Sequence, residues 1–193
     1  MDDFLPCDVD TGEPIFANAS VGYYDLWPLI MEKAWAKLHG SYMKMTNGIH
    51  ADVFRDLTGA PTYEYSAAED DTEMLMEAKE EGYITYMVSK KASEFENGAE
   101  GAKELGIIPD CAYFYIKDRN PEGKNLHHLR RTITDFDDTQ WKGNFCPGSE
   151  SWTDEAKEQI GWVAEDEENG KFFIENEDML KHFSTFGICK IKD

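Results

Sequence analysis

Four cysteines, Cys7, Cys111, Cys146 and Cys189, and five histidines offer this chain its widest chemical repertoire. Their spacing limits what they can do. No two cysteines form a C-x-x-C pair, so a zinc site built from them would lack the usual chelate spacing. His127 and His128 are neighbours in a segment that reads as a strand. Consecutive strand side chains point to opposite faces, so this pair cannot grip one ion together. His39, His50 and His182 stand alone and read as structural or exposed. The acidic run 165–168 misses the alternating ligands and terminal glutamate of an EF-hand loop. Cys111 is open to redox or acyl chemistry. Thiol hydrolysis asks for more: a thiolate, an imidazole that activates it and an amide that orients the imidazole.

The elements that must position these groups are legible from spacing. Asp25 is a plausible N-cap with Pro28 in the first turn, and Trp27, Ile30, Met31, Ala34 and Leu38 recur at helical spacing up to Gly40. Leu26, Leu29 and Trp35 widen that stripe until little of the first half is polar, so the helix wants partners on more than one side. Thr58 to Pro61 marks a turn, and Thr62 to Tyr65 a short strand. Glu69 to Glu81 reads as an acidic helix with Met74, Leu75 and Ala78 inward and its carboxylates solvated. Strands are predicted over Tyr83–Val88, Ala112–Lys117, Leu126–Ile133, Lys171–Ile174 and Gly187–Ile191, with a short helix over Glu177–Phe183. Lys90 to Gly106 is rich in Glu, Gly and Lys and reads as a surface loop. A helix-bearing first part followed by a mostly antiparallel sheet is an α+β pattern.

Composition narrows the function classes. At 193 residues, 41% hydrophobic and 13% aromatic, the chain can bury one or two small cores. A net charge of −20 offers no counterion-releasing basic surface, which disfavours nucleic acid and anionic membrane surfaces alike. Basic proteins and divalent cations are the charge-compatible partners. No signal peptide opens the sequence and no apolar run reaches about 18 residues, so secretion and membrane insertion are not expected. Reduced thiols in a cytoplasmic setting are the simplest reading.

One pattern is far more specific. Glu32-Lys33-Ala34-x-Ala36-Lys37-Leu38-x-Gly40-Ser41-Tyr42, followed by Asp56-Leu57-Thr58-Gly59, closely resembles the calpain family of papain-like cysteine proteases. Asp3-Phe4-Leu5-Pro6 with Gly12-x-Pro14-Ile15-Phe16 resembles the strand pair that precedes that family's helix. Trp141-Lys142-Gly143, Trp152, Gly170-Lys171-Phe172-Phe173, Phe183 and Ile188-Cys189 resemble its closing landmarks. The order and spacing of these landmarks carry the resemblance across nearly the whole chain. It implies a truncated papain-like core: a remnant of the cysteine-bearing subdomain over residues 1–66, then the β-rich histidine/asparagine subdomain over residues 67–193.

The same resemblance implies a missing machinery. The chain opens downstream of the family's nucleophile. Where calpains carry Gly-His-Ala-Tyr, this sequence reads Asp110-Cys111-Ala112-Tyr113, so Cys111 stands at the base position. The family's Arg-Asn-Pro-Trp-Gly corresponds to Arg130-Arg131-Thr132-Ile133-Thr134, with Thr132 for the orienting asparagine. Asn120-Pro121-Glu122-Gly123 imitates that motif but comes too early, and reads as the turn joining two strands. The family's calcium positions fall on Gln140, Pro147, Asn169 and Lys171, a poor set of oxygen ligands. No metal and no cofactor are expected.

The resulting expectation is a non-catalytic structural or scaffolding subunit of an intracellular assembly, cytoskeletal or ciliary in location. A protein partner, such as another calpain-like chain or an axonemal assembly, would cover Trp27, Ile30, Met31, Trp35, Leu38 and Tyr42. Apolar burial is worth about 25 cal/mol per Å², so an exposed stripe of this size marks an interaction site. Two alternatives come from other classes: a regulatory module binding peptides in the remnant cleft, and one half of a split protease.

Overall fold

The computed structural model describes residues 4–15, 26–45, 50–67, 72–132, 140–168 and 170–191. Two compact units divide the chain, residues 1–49 and 50–193. In the first, Cys7 and Pro14 form an isolated antiparallel bridge where a strand pair is predicted. Asp8 turns the segment by accepting the Asp10 and Thr11 N–H groups on Oδ1, both at 2.9 Å. Helix α1 spans Trp27–His39, with Pro28 in its first turn and Gly40 at φ +99° closing it in the left-handed region. Its N-cap is Leu26; Asp25 and Phe16 lie outside the described residues.

The second unit is a six-stranded antiparallel sheet with helices on its faces. Its elements are α2 (His50–Thr58), β1 (Thr62–Ser66), α3 (Thr72–Glu80), β2 (Ile84–Ser89), α4 (Gly98–Leu105), β3 (Ala112–Arg119), β4 (Leu126–Arg131), α5 (Asp154–Ile160), β5 (Lys171–Glu175), α6 (Asn176–His182) and β6 (Phe183–Cys189). The spatial order is β1-β6-β2-β3-β4-β5. The fold is α+β. Segment 50–66, grouped by the sequence reading with the N-terminal part, belongs here, because β1 pairs along β6 from Thr62↔Cys189 to Ser66↔Thr185.

Strand alternation sorts the aromatic residues into two cores. Phe172 and Phe173 are consecutive in β5 and both fully buried, yet they serve different clusters. Phe172 joins Leu75, Ala102, Tyr113, Tyr115, Leu129, Trp141, Met179 and Phe186. Phe173 joins Leu126, Phe145, Trp152, Ala156 and Ile160 on the opposite face. Near the β1–β6–β2 edge, Phe54 of α2 stacks on Tyr86 at 4.8 Å, and Glu64 accepts from the Tyr86 hydroxyl at 2.9 Å.

Gly187 opposes Tyr86 in the β2–β6 register. A Cβ there would sit 2.0 Å from the Tyr86 ring, so only glycine lets the phenol lie across β6. Gly187→Ala is expected to cost about 1–3 kcal/mol in urea denaturation. A loss within error of zero would show that the ring swings aside freely.

Two departures from the sequence reading are instructive. The predicted loop 90–106 contains a 3₁₀ turn (Ala92–Glu94) and helix α4. Its glycines read as breakers, but Gly101 is needed because a Cβ would collide with the Glu96 carbonyl oxygen at 1.7 Å. Helix α5 went unread although its start is written plainly. Thr153 accepts from Ala156 N–H at 2.9 Å, Asp154 and Glu155 follow, and Gly161 closes the helix at φ +62°.

Candidate functional site

The antiparallel β3–β4 pair sets Tyr113 opposite Arg131, which brings the residue before β3 beside the residue after β4. Cys111 Sγ accordingly lies 3.7 Å from Thr132 Oγ1, and Thr132 donates to the Ala112 carbonyl at 2.8 Å. The two positions that the resemblance assigns to base and orienter are thus neighbours in space. A rigid frame holds Cys111. Its N–H donates to Ser89 Oγ at 3.0 Å, its carbonyl accepts from Ser89 N–H at 3.0 Å, and Ser89 Oγ donates to the Ile108 carbonyl at 2.6 Å. Ile108 N–H in turn donates to Tyr113 Oη at 2.8 Å.

Cys111 is 7% exposed, and burial pushes its thiol above the ordinary cysteine range, with Thr132 and Arg131 pulling less strongly downward. A buried thiol held protonated at neutral pH cannot take a proton from a nucleophile. Side chains of these types at 3.7 Å can hydrogen-bond weakly and close the strand ends. They lack the proton affinity of an imidazole.

The histidines sit elsewhere. His127 and His128 lie five and four residues before Thr132, about 13–17 Å along the strand. They face opposite sides, as alternation requires. His127 is 2% exposed, with Nδ1 3.1 Å from the Tyr115 hydroxyl and Nε2 3.0 Å from Asn176 Oδ1. That imidazole–amide pair joins β4 to the first residue of α6, and no local sequence pattern signals it. It lines a cavity of about 200 Å³ with Thr72, Met76 and Asp118. No thiol contacts it among the described residues. His128 stacks on Phe173 at 4.2 Å and donates Nε2–H to the Asp166 carbonyl at 2.7 Å. His182 is buried against Phe95 and Trp141, His50 is half-buried, and His39 is exposed against Trp35.

The positions that the resemblance assigns to calcium also lie near one another. Gln140, Pro147 and Lys171 line one cavity of about 330 Å³, together with Arg131, Trp141, Glu167, Glu168, Gly170 and Phe172. Asn169 lies outside the described residues. Calcium takes six to eight oxygens at short range. Here proline offers no side-chain oxygen, while a guanidinium and an ammonium line the wall. Among the described residues no group of three His, Cys, Asp or Glu could hold a metal ion. The residues do not fit calcium.

In the first unit, Trp27 is 63% and Leu38 71% exposed, and Ile30 and Met31 are exposed beside them. Trp35 and Tyr42 are half-buried, while Leu29, Lys33 and Ala36 occupy the buried side of α1. Lys33 donates its ammonium to the Phe4 carbonyl. Among the described residues no helix is long and apolar enough to cross a membrane.

These landmarks place the chain against known proteins. The model of the calpain family cysteine protease matches residues 1–190. The calpain-type cysteine protease ADL1 of Oryza sativa subsp. japonica is 28% identical over 99% of this chain, covering 9% of its own length. Rat calpain-13 is 26% identical over 98% of the chain and 28% of its own length. The pig calpain-1 catalytic subunit is 28% identical over 99% and 27% respectively. The chain therefore spans less than a third of these relatives. With the helix motif, the sheet landmarks and the full-length match in agreement, the chain belongs to the calpain family of cysteine proteases.

Proposed function

We propose that this chain is a non-catalytic member of its family that serves as a structural or scaffolding subunit. The observation that carries the reading is the Cys111–Thr132 contact: a buried, protonated thiol and a hydroxyl where hydrolysis needs imidazole and amide. The exposed apolar side of α1, with Trp27, Ile30, Met31 and Leu38, is the surface offered to a protein partner. A second calpain-like chain or a cytoskeletal or ciliary assembly in the cytoplasm is the proposed setting.

A second reading, a module that binds peptides without cutting them, draws on the 330 Å³ cavity beside Arg131 and Trp141. One half of a split protease would draw on the His127–Asn176 pair, whose imidazole is buried with both nitrogens engaged.

One preparation tests the main reading. The chain, alone and with its purified partner, is assayed on a fluorogenic peptide and by light scattering after size exclusion. Expected are no thiol-dependent hydrolysis in either state, and an assembly that Trp27→Ser with Leu38→Ser disperses. Hydrolysis abolished by Cys111→Ala would end the non-catalytic reading, and hydrolysis abolished by His127→Ala would install the split protease.

A further inference from the structure

Ala164–Glu167 is a 3₁₀ turn bearing Glu165, Asp166 and Glu167, and Glu168 follows directly. A row of like charges this dense requires countercharge nearby. It comes here from lysines on three separate elements. Lys171, the first residue of β5, donates its ammonium to the Glu165 carbonyl. Lys117 of β3 stands 3.6 Å from Asp166 Oδ1, with the carboxylate largely withdrawn from solvent. Lys157 of α5 lies over the Trp162 ring at 4.6 Å, and burial raises Glu167 more strongly than Lys157 lowers it. His128 adds a neutral hydrogen bond, Nε2 to the Asp166 carbonyl.

The same turn supplies Glu167 and Glu168 to the cavity whose other walls are Arg131, Gln140, Pro147 and Lys171. Every carboxylate that could turn toward a metal there shares the wall with a cation of the chain itself. A divalent ion would have to displace Lys171 or sit beside it, against a repulsion that grows as water is excluded.

We propose that Lys171, which lines this cavity and holds the Glu165 carbonyl, and Lys117, paired with Asp166, secure the acidic turn without a metal ion and make the β-sheet unit calcium-independent. The inference concerns folding and cation response. Whether the chain hydrolyses peptides leaves it untouched, and its failure leaves the proposed function standing.

Thermal unfolding of the full chain, followed by circular dichroism, tests it in excess EGTA and in millimolar calcium. The midpoint is expected to be the same in both. A calcium site with a dissociation constant a hundredfold below the added ion would raise it by about 5–10 °C instead. Lys117→Met and Lys171→Met are each expected to lower the midpoint by about 2–4 °C at low ionic strength. The losses should shrink in molar sodium chloride, where ion pairs are screened within about 3 Å. A calcium-dependent rise of the size given overturns the proposal. So does the absence of any low-salt loss in both variants.

Discussion

Acidification from pH 7 to pH 4 is expected to remove most of the stability of the sheet unit, well before its surface carboxylates are all protonated. His128 and His182 are both pushed down to about 4, in each case chiefly by desolvation. Nearby lysines reinforce the shift, Lys117 and Lys171 at His128 and Lys181 and Lys90 at His182. Asp166 opposes it at His128, but its carboxylate is 4.0 Å from Nδ1, and that nitrogen is buried without a hydrogen bond among the described residues. His127 is also lowered, again mainly by burial.

The sign follows from linkage. The unfolded chain takes up these protons near pH 6.5, while the folded chain refuses them until about pH 4. Stability is therefore complete above 6.5, falls through the window between, and levels off below 4. Each of the two histidines contributes on the order of 2–3 kcal/mol across that window. A domain of this size has about 5–15 kcal/mol in all. Glu167 and Asp178, both raised by burial, work in the opposite direction. Urea denaturation at a series of pH values measures the slope, and His128→Leu should flatten it. An unchanged slope in that variant would assign the acid sensitivity elsewhere.

Phe173→Ala is the substitution with the largest expected effect, a loss of about 3–5 kcal/mol. Phe173 is fully buried, stacks on His128 at 4.2 Å and meets the Trp152 edge at 5.2 Å. It belongs to the smaller core, which among the described residues has five other buried members. The sheet behind it is locked by pairing on both sides of β4, so the site has little room to collapse. Phe172→Ala on the other face should cost less per atom removed, since a larger and more adaptable cluster with Met179 and Met87 surrounds it. Denaturation midpoints of the two variants compare them directly. Equal losses would mean that both cores relax alike.

Much of this architecture is readable from residue order. The helix over Trp27–His39, the strands around Tyr86, Tyr113 and Leu129, and the Asn120–Gly123 turn all announce themselves through periodicity or turn chemistry. That turn is observed as Pro121–Gly123 with Gly123 at φ +78°, and Asn120 donates to Asn125 across it. The predicted ends drift where tertiary pairing extends an element. β3 runs on to Arg119 because β4 matches it as far as Leu126, and β6 begins at Phe183 because β2 and β1 flank it.

Local signals mislead where glycine has a packing purpose, as at Gly101, and in the short, polar α5 they reside in the caps, Thr153 and Gly161, with little apolar periodicity to support them. The site shows the same division. Cys111 and Thr132 are placed by family resemblance, and their contact by the β3–β4 register. The His127–Asn176 bond joins residues 49 apart and no local pattern encodes it.

The strand order carries a consequence for how the molecule is made. β6 lies between β1 and β2, so β1 has no strand partner and β2 has only β3 until residues 183–189 arrive. During synthesis at about 5–20 residues per second, that wait lasts roughly 5–20 s after β2 is complete. Through that interval Tyr86, Met87 and Val88 present one unpaired strand flank, the kind of edge that recruits neighbouring chains. The nascent polypeptide is thus most vulnerable before its sheet can close. Its yield in cells should depend on holding chaperones and on translation speed between β2 and β6 far more than on the stability of the finished fold.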